Sequence, residues 1–117
     1  MSTITIPAQN SRFKAGWIIL LLSTALMAVG HFFMIFTFDE PVLFTDFTAF
    51  NLLAFLIILI PFRQKEKWAW LASWTLPLVY AVTAINDPPI AVYFYGFAAL
   101  CLLSLLLTMG DFFTQSK

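Results

Sequence analysis

Long apolar runs separated by short charged segments are the main pattern along the chain. Four stretches contain no Asp, Glu, Lys or Arg: residues 15–38, 47–62, 68–86 and 88–110. A helix needs about 20 largely apolar residues to cross a hydrocarbon core of about 30 Å. Three stretches reach that length, and the second reaches it only if its helix begins near Val42 or Phe44. The pattern predicts four transmembrane helices, over about 15–37, 44–62, 68–86 and 89–109.

The links between these predicted helices are short, and the second and third are too short to cross a bilayer. Consecutive helices are therefore expected to run antiparallel, in one all-α integral membrane four-helix bundle with up-down-up-down topology. Asn10 and Ser11 are candidate N-caps for the first helix. Asp87 precedes two prolines, a typical start for the fourth. Only the first link, about Thr37 to Thr45, is long enough to form a small lid.

The composition agrees with a membrane protein. Of the 117 residues, 62% are hydrophobic and 10% are charged, against roughly 25% charged in soluble domains. This excludes a soluble globular domain and a disordered chain. Six basic residues are balanced by six acidic ones, so there is no basic surplus for nucleic acid. Cys101 is the only cysteine, which excludes an internal disulfide, a CxxC pair and a Cys-based zinc site within one chain.

The basic residues determine the predicted orientation, because short cytoplasmic loops carry an excess of Lys and Arg. All six lie in the N-terminal segment, the second link or the C-terminal tail: Arg12, Lys14, Arg63, Lys65, Lys67 and Lys117. The opposite links carry only acids: Asp39, Glu40, Asp46 and Asp87. We therefore expect both termini to be cytoplasmic, in the plasma (inner) membrane. The four tryptophans are expected to anchor the cytoplasmic interface: Trp17, Trp68, Trp70 and Trp74.

Polar side chains inside the predicted helices are the candidate functional residues, because polar groups are costly in a bilayer. His31, the only histidine, lies about 10 Å below the outer end of its helix at about 1.5 Å per residue. Side chains of the other helices at a similar depth, or at the mouth above it, complete the candidate ligand-binding set: Asp46, Asn51, Tyr80, Tyr93 and Tyr95. They predict a small polar pocket that opens outward. His31 and Tyr80 would form its floor, with Asp46 or Asp87 at its mouth.

Three interpretations of His31 stay open at this point. The ring could bridge two helices by a hydrogen bond, relay protons with Asp46, or serve as the single axial ligand of a haem or chlorin. No second His or Cys lies at a comparable depth, so no other metal site is predicted. The loop acids Asp39, Glu40 and Asp87 are interpreted as solvated charges, with a cation bound at the outer loops as the alternative.

Small residues recur along two of the predicted helices. Gly16, Ser23 and Gly30 follow a seven-residue spacing on the first helix. A second stripe lies on the fourth helix and consists of Cys101, Ser104 and Thr108. Small residues at such spacing favour close helix packing in membranes. The fourteen phenylalanines are interpreted as lipid-facing and core bulk.

Two short motifs carry a resemblance to a known group. Gly30-His31-Phe32-Phe33, which a proline-containing link follows, is similar to the corresponding region of DoxX-like small four-helix bacterial membrane proteins. The stretch PFRQKEKWAW, which begins at Pro61, resembles the basic turn and Trp-Ala-Trp entry of uncharacterised relatives of that group. Lys65 stands where a glycine is common in that turn. The resemblance implies a four-helix topology over most of the chain and no particular reaction.

The sequence favours a structural role. The chain would be an accessory subunit or a self-associating bundle, packed against other membrane helices in a homo-oligomer or a larger complex. It lacks the acid in the first helix that a small multidrug antiporter needs and the cysteine pairs of a quinone-linked disulfide enzyme. A sterol-isomerase-type enzyme needs a histidine and two acids within its helices, whereas the acids of this chain lie at the loops. The balance is thus against an enzyme, and no cofactor is identified. The alternative is a binding protein or enzyme for a quinone, a chlorin or haem, or a sterol-like molecule, using the pocket around His31 and Tyr80.

Overall fold

The computed structural model describes residues 10–113, and all regular structure in that range is helical. The elements are α1 (Ser11–Thr37), α2 (Pro41–Ile57) continued by a π-helical turn (Ile58–Phe62), α3 (Lys67–Ser73), α4 (Thr75–Asn86), a 3-10 turn (Pro88–Ile90) and α5 (Ala91–Phe113). Lys117, which counts toward the predicted orientation, lies outside the described residues.

These elements form four stretches that are long and apolar enough to cross a membrane: Ser11–Thr37, Pro41–Phe62, Lys67–Asn86 and Pro88–Phe113. This confirms the prediction of an all-helical chain with four helices that are long and apolar enough to span a membrane. The expectation of a lid in the first link is wrong, because α2 already begins at Pro41 and leaves only residues 38–40 outside the helices. Proline is well suited to the first turn of a helix, where its missing N–H has no partner to lose.

Of the three predicted cap residues, Ser11 is the first residue of α1, and the other two differ in what their side chains do. Asn10 is the N-cap of α1, and its side-chain oxygen accepts a hydrogen bond from the backbone N–H of Phe13 at 2.7 Å. This satisfies one of the N–H groups that a helix start leaves without an intrahelical partner. Asp87 precedes the 3-10 turn, but its side chain makes no capping hydrogen bond.

Prolines explain two irregularities inside the spans. Pro61 lies in the π-helical turn, where it has no N–H for the usual bond to the carbonyl four residues earlier. The indole Nε1 of Trp17 donates to the carbonyl of Ile58 in the same turn at 2.7 Å. Pro77 follows the break between α3 and α4 at Trp74, and it likewise removes the bond that would join the two helices into one.

Helix α1 packs against α2 and α5, and α5 packs against α4. Near the start of α1 the helices meet closely, and we call this region the closed end; its defining residues are Phe13, Gly16, Phe62, Thr108 and Phe112. The three phenylalanine rings are fully or almost fully buried, with centroids 4.9–5.9 Å apart. The Trp70 indole adds a hydrogen bond to the carbonyl of Leu105 at 3.2 Å.

The turn that enters α3 is fastened to the end of α5. Lys65 is the only non-glycine residue among those described with a positive φ, 62°. Its ammonium lies 3.7 Å from Oδ1 of Asp111 and 5.0 Å from the centre of the Phe13 ring. Asn10 donates to the same carboxylate oxygen at 3.0 Å. The start of α1, this turn and the end of α5 are therefore joined around one carboxylate.

Candidate functional site

At the other extremity of the bundle, which we call the cavity end, the helices line a partly open cavity of about 850 Å³. Its walls are mainly apolar and aromatic, with a few polar groups among them. The lining consists of Leu26, Met27, Gly30, His31, Met34, Phe38, Asp39, Glu40, Leu43, Phe44, Phe47, Val82, Thr83, Asn86, Asp87, Ile90, Tyr93, Phe94 and Phe97. All four spans contribute, and His31 is the candidate site residue that is both buried and part of the wall.

His31 is held by its own helix and by three aromatic rings. Its Nδ1 lies 2.7 Å from the carbonyl oxygen of Met27, one turn earlier. A carbonyl can only accept, so Nδ1 carries the proton, and the lone pair of a neutral ring is on Nε2. The ring centroid lies 5.0 Å from that of Phe47 and 6.0 Å from those of Phe44 and Phe94. Since Nδ1 is engaged within α1, Nε2 is the ring nitrogen that stays available to a ligand.

Tyr80 and Asn51 form a separate buried pair. The Tyr80 hydroxyl donates to the side-chain oxygen of Asn51, whose amide nitrogen donates to the carbonyl of Phe47 at 2.8 Å. Both side chains are about 1% exposed, and neither belongs to the cavity wall. The expectation that Tyr80 forms the pocket floor together with His31 is therefore wrong. The hydroxyl joins α4 to α2, and the rings of Phe47, Phe94 and Phe97 line the cavity instead.

The other predicted site residues divide between the cavity wall and the outer surface. Tyr93 lines the cavity, but it is also 67% exposed. Tyr95 and Asp46 are exposed and lie outside the wall. The only hydrogen bond recorded for His31 among residues 10–113 is the one to Met27, so the structure does not join His31 to Asp46. At the mouth, Asp87 belongs to the wall and Asp46 does not.

The small-residue stripes lie in different surroundings along their lengths. A Cβ added to Gly16 would lie 2.6 Å from Cγ2 of Thr108 and 3.0 Å from the carbonyl oxygen of Ser104, so α1 and α5 approach closely there. Ser23 and Cys101 are also buried. Gly30 differs, because a Cβ added there would meet nothing within 4 Å. Within this chain the stripe on α1 packs closely against α5 at Gly16 and lines the cavity at Gly30.

Two of the predicted interfacial tryptophans also serve inside the bundle. Trp70 is 6% exposed, and the indoles of Trp70 and Trp17 each donate to a carbonyl of another helix. Trp17 also receives the Arg63 guanidinium over its ring at 4.7 Å. Trp68, in contrast, is 53% exposed, as an anchor in the membrane interface would be.

The sequence interpretation missed the aromatic wall of the cavity. Phe44 and Phe47 on α2, and Phe94 and Phe97 on α5, were assigned with the other phenylalanines to bulk packing. Their spacing of three residues, at the depth of His31 on each helix, is the signal that could have grouped them. No group of three or more His, Cys, Asp or Glu side chains is placed to hold a metal ion among residues 10–113.

No protein-family model, curated protein or solved structure matches the chain. The resemblance to DoxX-like proteins thus stays a prediction, and the residues of the cavity carry the functional argument.

Proposed function

We propose that the chain binds a lipid-soluble small molecule in the cavity between its four spans. The observation that carries this proposal is the size and character of the cavity, about 850 Å³ with mainly apolar and aromatic walls. Binding sites for drug-sized molecules occupy roughly 300–1,000 Å³ and combine such walls with a few polar groups. His31 supplies a buried polar group in the wall. The proposal is binding alone and includes no reaction.

The same proposal includes the topology of the bundle. An up-down-up-down arrangement is supported by contacts at the closed end, where the start of α1 meets the end of the second span at Phe62 and the end of α5 at Phe112. The basic residues then share one side, which favours cytoplasmic termini in a plasma membrane. In that orientation the cavity faces the external side, where a ligand could enter from outside or from the outer leaflet.

A matched pair of glycines tests the proposal. Gly30 and Gly96 lie in helices, and a Cβ added at either would meet nothing within 4 Å. Only Gly30 belongs to the cavity wall. We expect Gly30→Leu to fill part of the cavity and remove most of the binding of Nile red, a neutral apolar dye, in a neutral detergent. Gly96→Leu should bind the dye as the parent does. Equal binding by both variants would overturn the proposal.

The gently purified parent offers a direct second measurement. Its lipid extract and absorbance spectrum would reveal a quinone, a chlorin or haem, or a sterol-like molecule carried from the membrane. We expect any such molecule to be present at near one per chain in the parent and in Gly96→Leu, and to be reduced in Gly30→Leu. A molecule retained equally by both variants would lie outside the cavity.

An accessory or self-associating role is the second candidate function. The outer face of α2 favours it, because that helix is the least buried of the four spans and exposes Leu52, Leu53 and Leu56. Such a face is suited to a neighbouring membrane helix as well as to lipid. Under this role the cavity has no ligand, so Gly30→Leu and Gly96→Leu give the same dye signal as the parent. The glycine pair therefore separates the two functions.

A further inference from the structure

We infer that the cavity selects a lipophilic cation, meaning an apolar molecule of drug size that carries one positive charge. This inference rests on the proposed function and specifies the chemical class of its ligand. Three features of the cavity support it: the sign of the charges in its wall, the aromatic rings beside them, and the hydrogen bond that places the proton of His31 on Nδ1.

The charged residues of the wall are all acidic. Of residues 10–113, Asp39, Glu40 and Asp87 line the cavity, and no Lys or Arg does. None of the three carboxylates makes an ion pair within residues 10–113, where the ion pair found joins Lys65 to Asp111 at the closed end. The described basic residues lie toward that opposite end of the spans. A positive charge at the mouth would therefore meet three carboxylates and no basic competitor.

The walls next to these acids are suited to a cation as well as to an apolar body. Phe44, Phe47 and Phe94 lie around His31, and the face of an aromatic ring attracts a cation within about 6 Å. His31 itself is 4% exposed. Because its Nδ1–H is directed to Met27, a neutral ring keeps its lone pair on Nε2, and His31 belongs to the cavity wall. The buried polar group and the aromatic rings thus favour the same sign of charge as the carboxylates.

The position of the acids also limits the cost of binding a charge. A cation transferred alone into an apolar cavity loses its hydration at a high cost in free energy. Here the three acidic residues are exposed, so the ligand's charge can stay near water at the mouth. Its apolar body would extend past Phe44 and Phe47 toward His31. A neutral molecule gains only from contact with the apolar walls, whereas an anion is repelled by the three carboxylates.

Tetraphenylphosphonium and tetraphenylborate provide the decisive comparison, because they have nearly the same shape and opposite charge. We expect the parent protein in neutral detergent to bind the phosphonium at least about tenfold more tightly than the borate, with the preference shrinking as salt is added. Gly30→Leu should abolish phosphonium binding. Equal affinity for the two ions, or tighter binding of the borate, would overturn the inference.

Two exposed acids at this end of the bundle form the matched control. Asp87 lines the cavity and Asp46 does not. We expect Asp87→Asn to weaken phosphonium binding by roughly threefold, the size typical of one exposed charge, while Asp46→Asn leaves it unchanged. Equal effects of the two variants would indicate attraction to the acidic surface in general and would contradict selection by the cavity.

Nile red distinguishes failure of the inference from failure of the proposed function. Because the dye is neutral, its binding should depend on Gly30 and be unaffected by Asp87→Asn. If the dye binds in this way and the two tetraphenyl ions bind equally, the cavity is a ligand site without charge selection. If neither the dye nor the phosphonium depends on Gly30, the proposed function itself is wrong.

Discussion

At the closed end, three phenylalanine rings fill the space between the helices, whereas at the cavity end the same spans leave about 850 Å³ between them. Apolar content does not explain this difference, because phenylalanines are abundant at both ends. The closed end has a glycine at the point where α1 meets α5, and a Cβ at Gly16 would lie 3.0 Å from a backbone carbonyl. Gly30 meets nothing within 4 Å.

Hydrogen bonds follow the same division. At the closed end the indoles of Trp17 and Trp70 donate to carbonyls of other helices. Asp111, near the end of α5, accepts a hydrogen bond from Asn10, which precedes α1. At the cavity end the hydrogen bond of His31 stays within its own helix. Helices in lipid gain little from burying apolar surface against each other, so close packing and polar contacts between helices determine their approach. The lack of such contacts around His31 allows a cavity to persist there.

The largest effect on this comparison should come from Gly16→Ala. The added methyl group would lie 2.6 Å from Cγ2 of Thr108, whose hydroxyl is hydrogen-bonded to Ser104 and Leu105 and so resists rotation. Because the helices must separate, we expect a loss of about 1–3 kcal/mol in the free energy of unfolding. Thermal unfolding of the purified protein in detergent, followed by tryptophan fluorescence, measures it.

Gly30→Ala and Gly96→Ala are the controls for that loss. Neither methyl group meets an atom within 4 Å, and alanine favours a helix over glycine by up to about 1 kcal/mol. Both variants should therefore unfold at the parent temperature or above it. A Gly16→Ala variant as stable as these two would show that α1 and α5 are not in close contact at the closed end.

Much of the fold could be predicted from the sequence, because hydropathy and length alone identify helices that can cross a membrane. The helix bounds were less accurate, since a gap between charged residues underestimates a helix that extends into the polar interface. Arg12 and Lys14 lie within α1, and Asp111 lies within α5. The early start of α2 had a signal of its own, because Pro41 is a typical first helical residue.

The rotation of each helix about its axis could not be predicted in the same way. Both the lipid-facing and the buried surfaces of these helices are apolar, so the hydrophobic periodicity does not identify the face that points inward. Depth along the helix grouped His31 with Tyr80, but the Tyr80 hydroxyl is directed to Asn51. The cavity depends on the rotation of all four spans about their axes, and the hydrophobic pattern of a single sequence does not determine these rotations.

A smaller effect is expected at the Tyr80–Asn51 pair, between the closed end and the cavity end. Tyr80→Phe removes the donor and leaves the side-chain oxygen of buried Asn51 without its partner. We expect a loss of about 1 kcal/mol in the free energy of unfolding, a typical value for a hydrogen bond between membrane helices. Tyr95→Phe removes a hydroxyl from a side chain that is 48% exposed and should change nothing. Equal unfolding temperatures for the two variants would mean that the pair does not join α4 to α2.

The smallest effect concerns the turn at Lys65, which fastens the closed end. Its φ of 62° is in the left-handed region, where a residue with a Cβ is strained and glycine is not.

Lys65→Gly and Lys65→Ala both lose the ion pair with Asp111 and the contact with the Phe13 ring, so those losses cancel when the two variants are compared. Only the alanine variant keeps the strain. The glycine variant gains more freedom when unfolded, which offsets part of its advantage. We therefore expect the free energy of unfolding of Lys65→Gly to exceed that of Lys65→Ala by about 0.5–1 kcal/mol. Lys65→Gly should then unfold at the higher temperature. The reverse order would show that the turn does not hold residue 65 in the left-handed conformation.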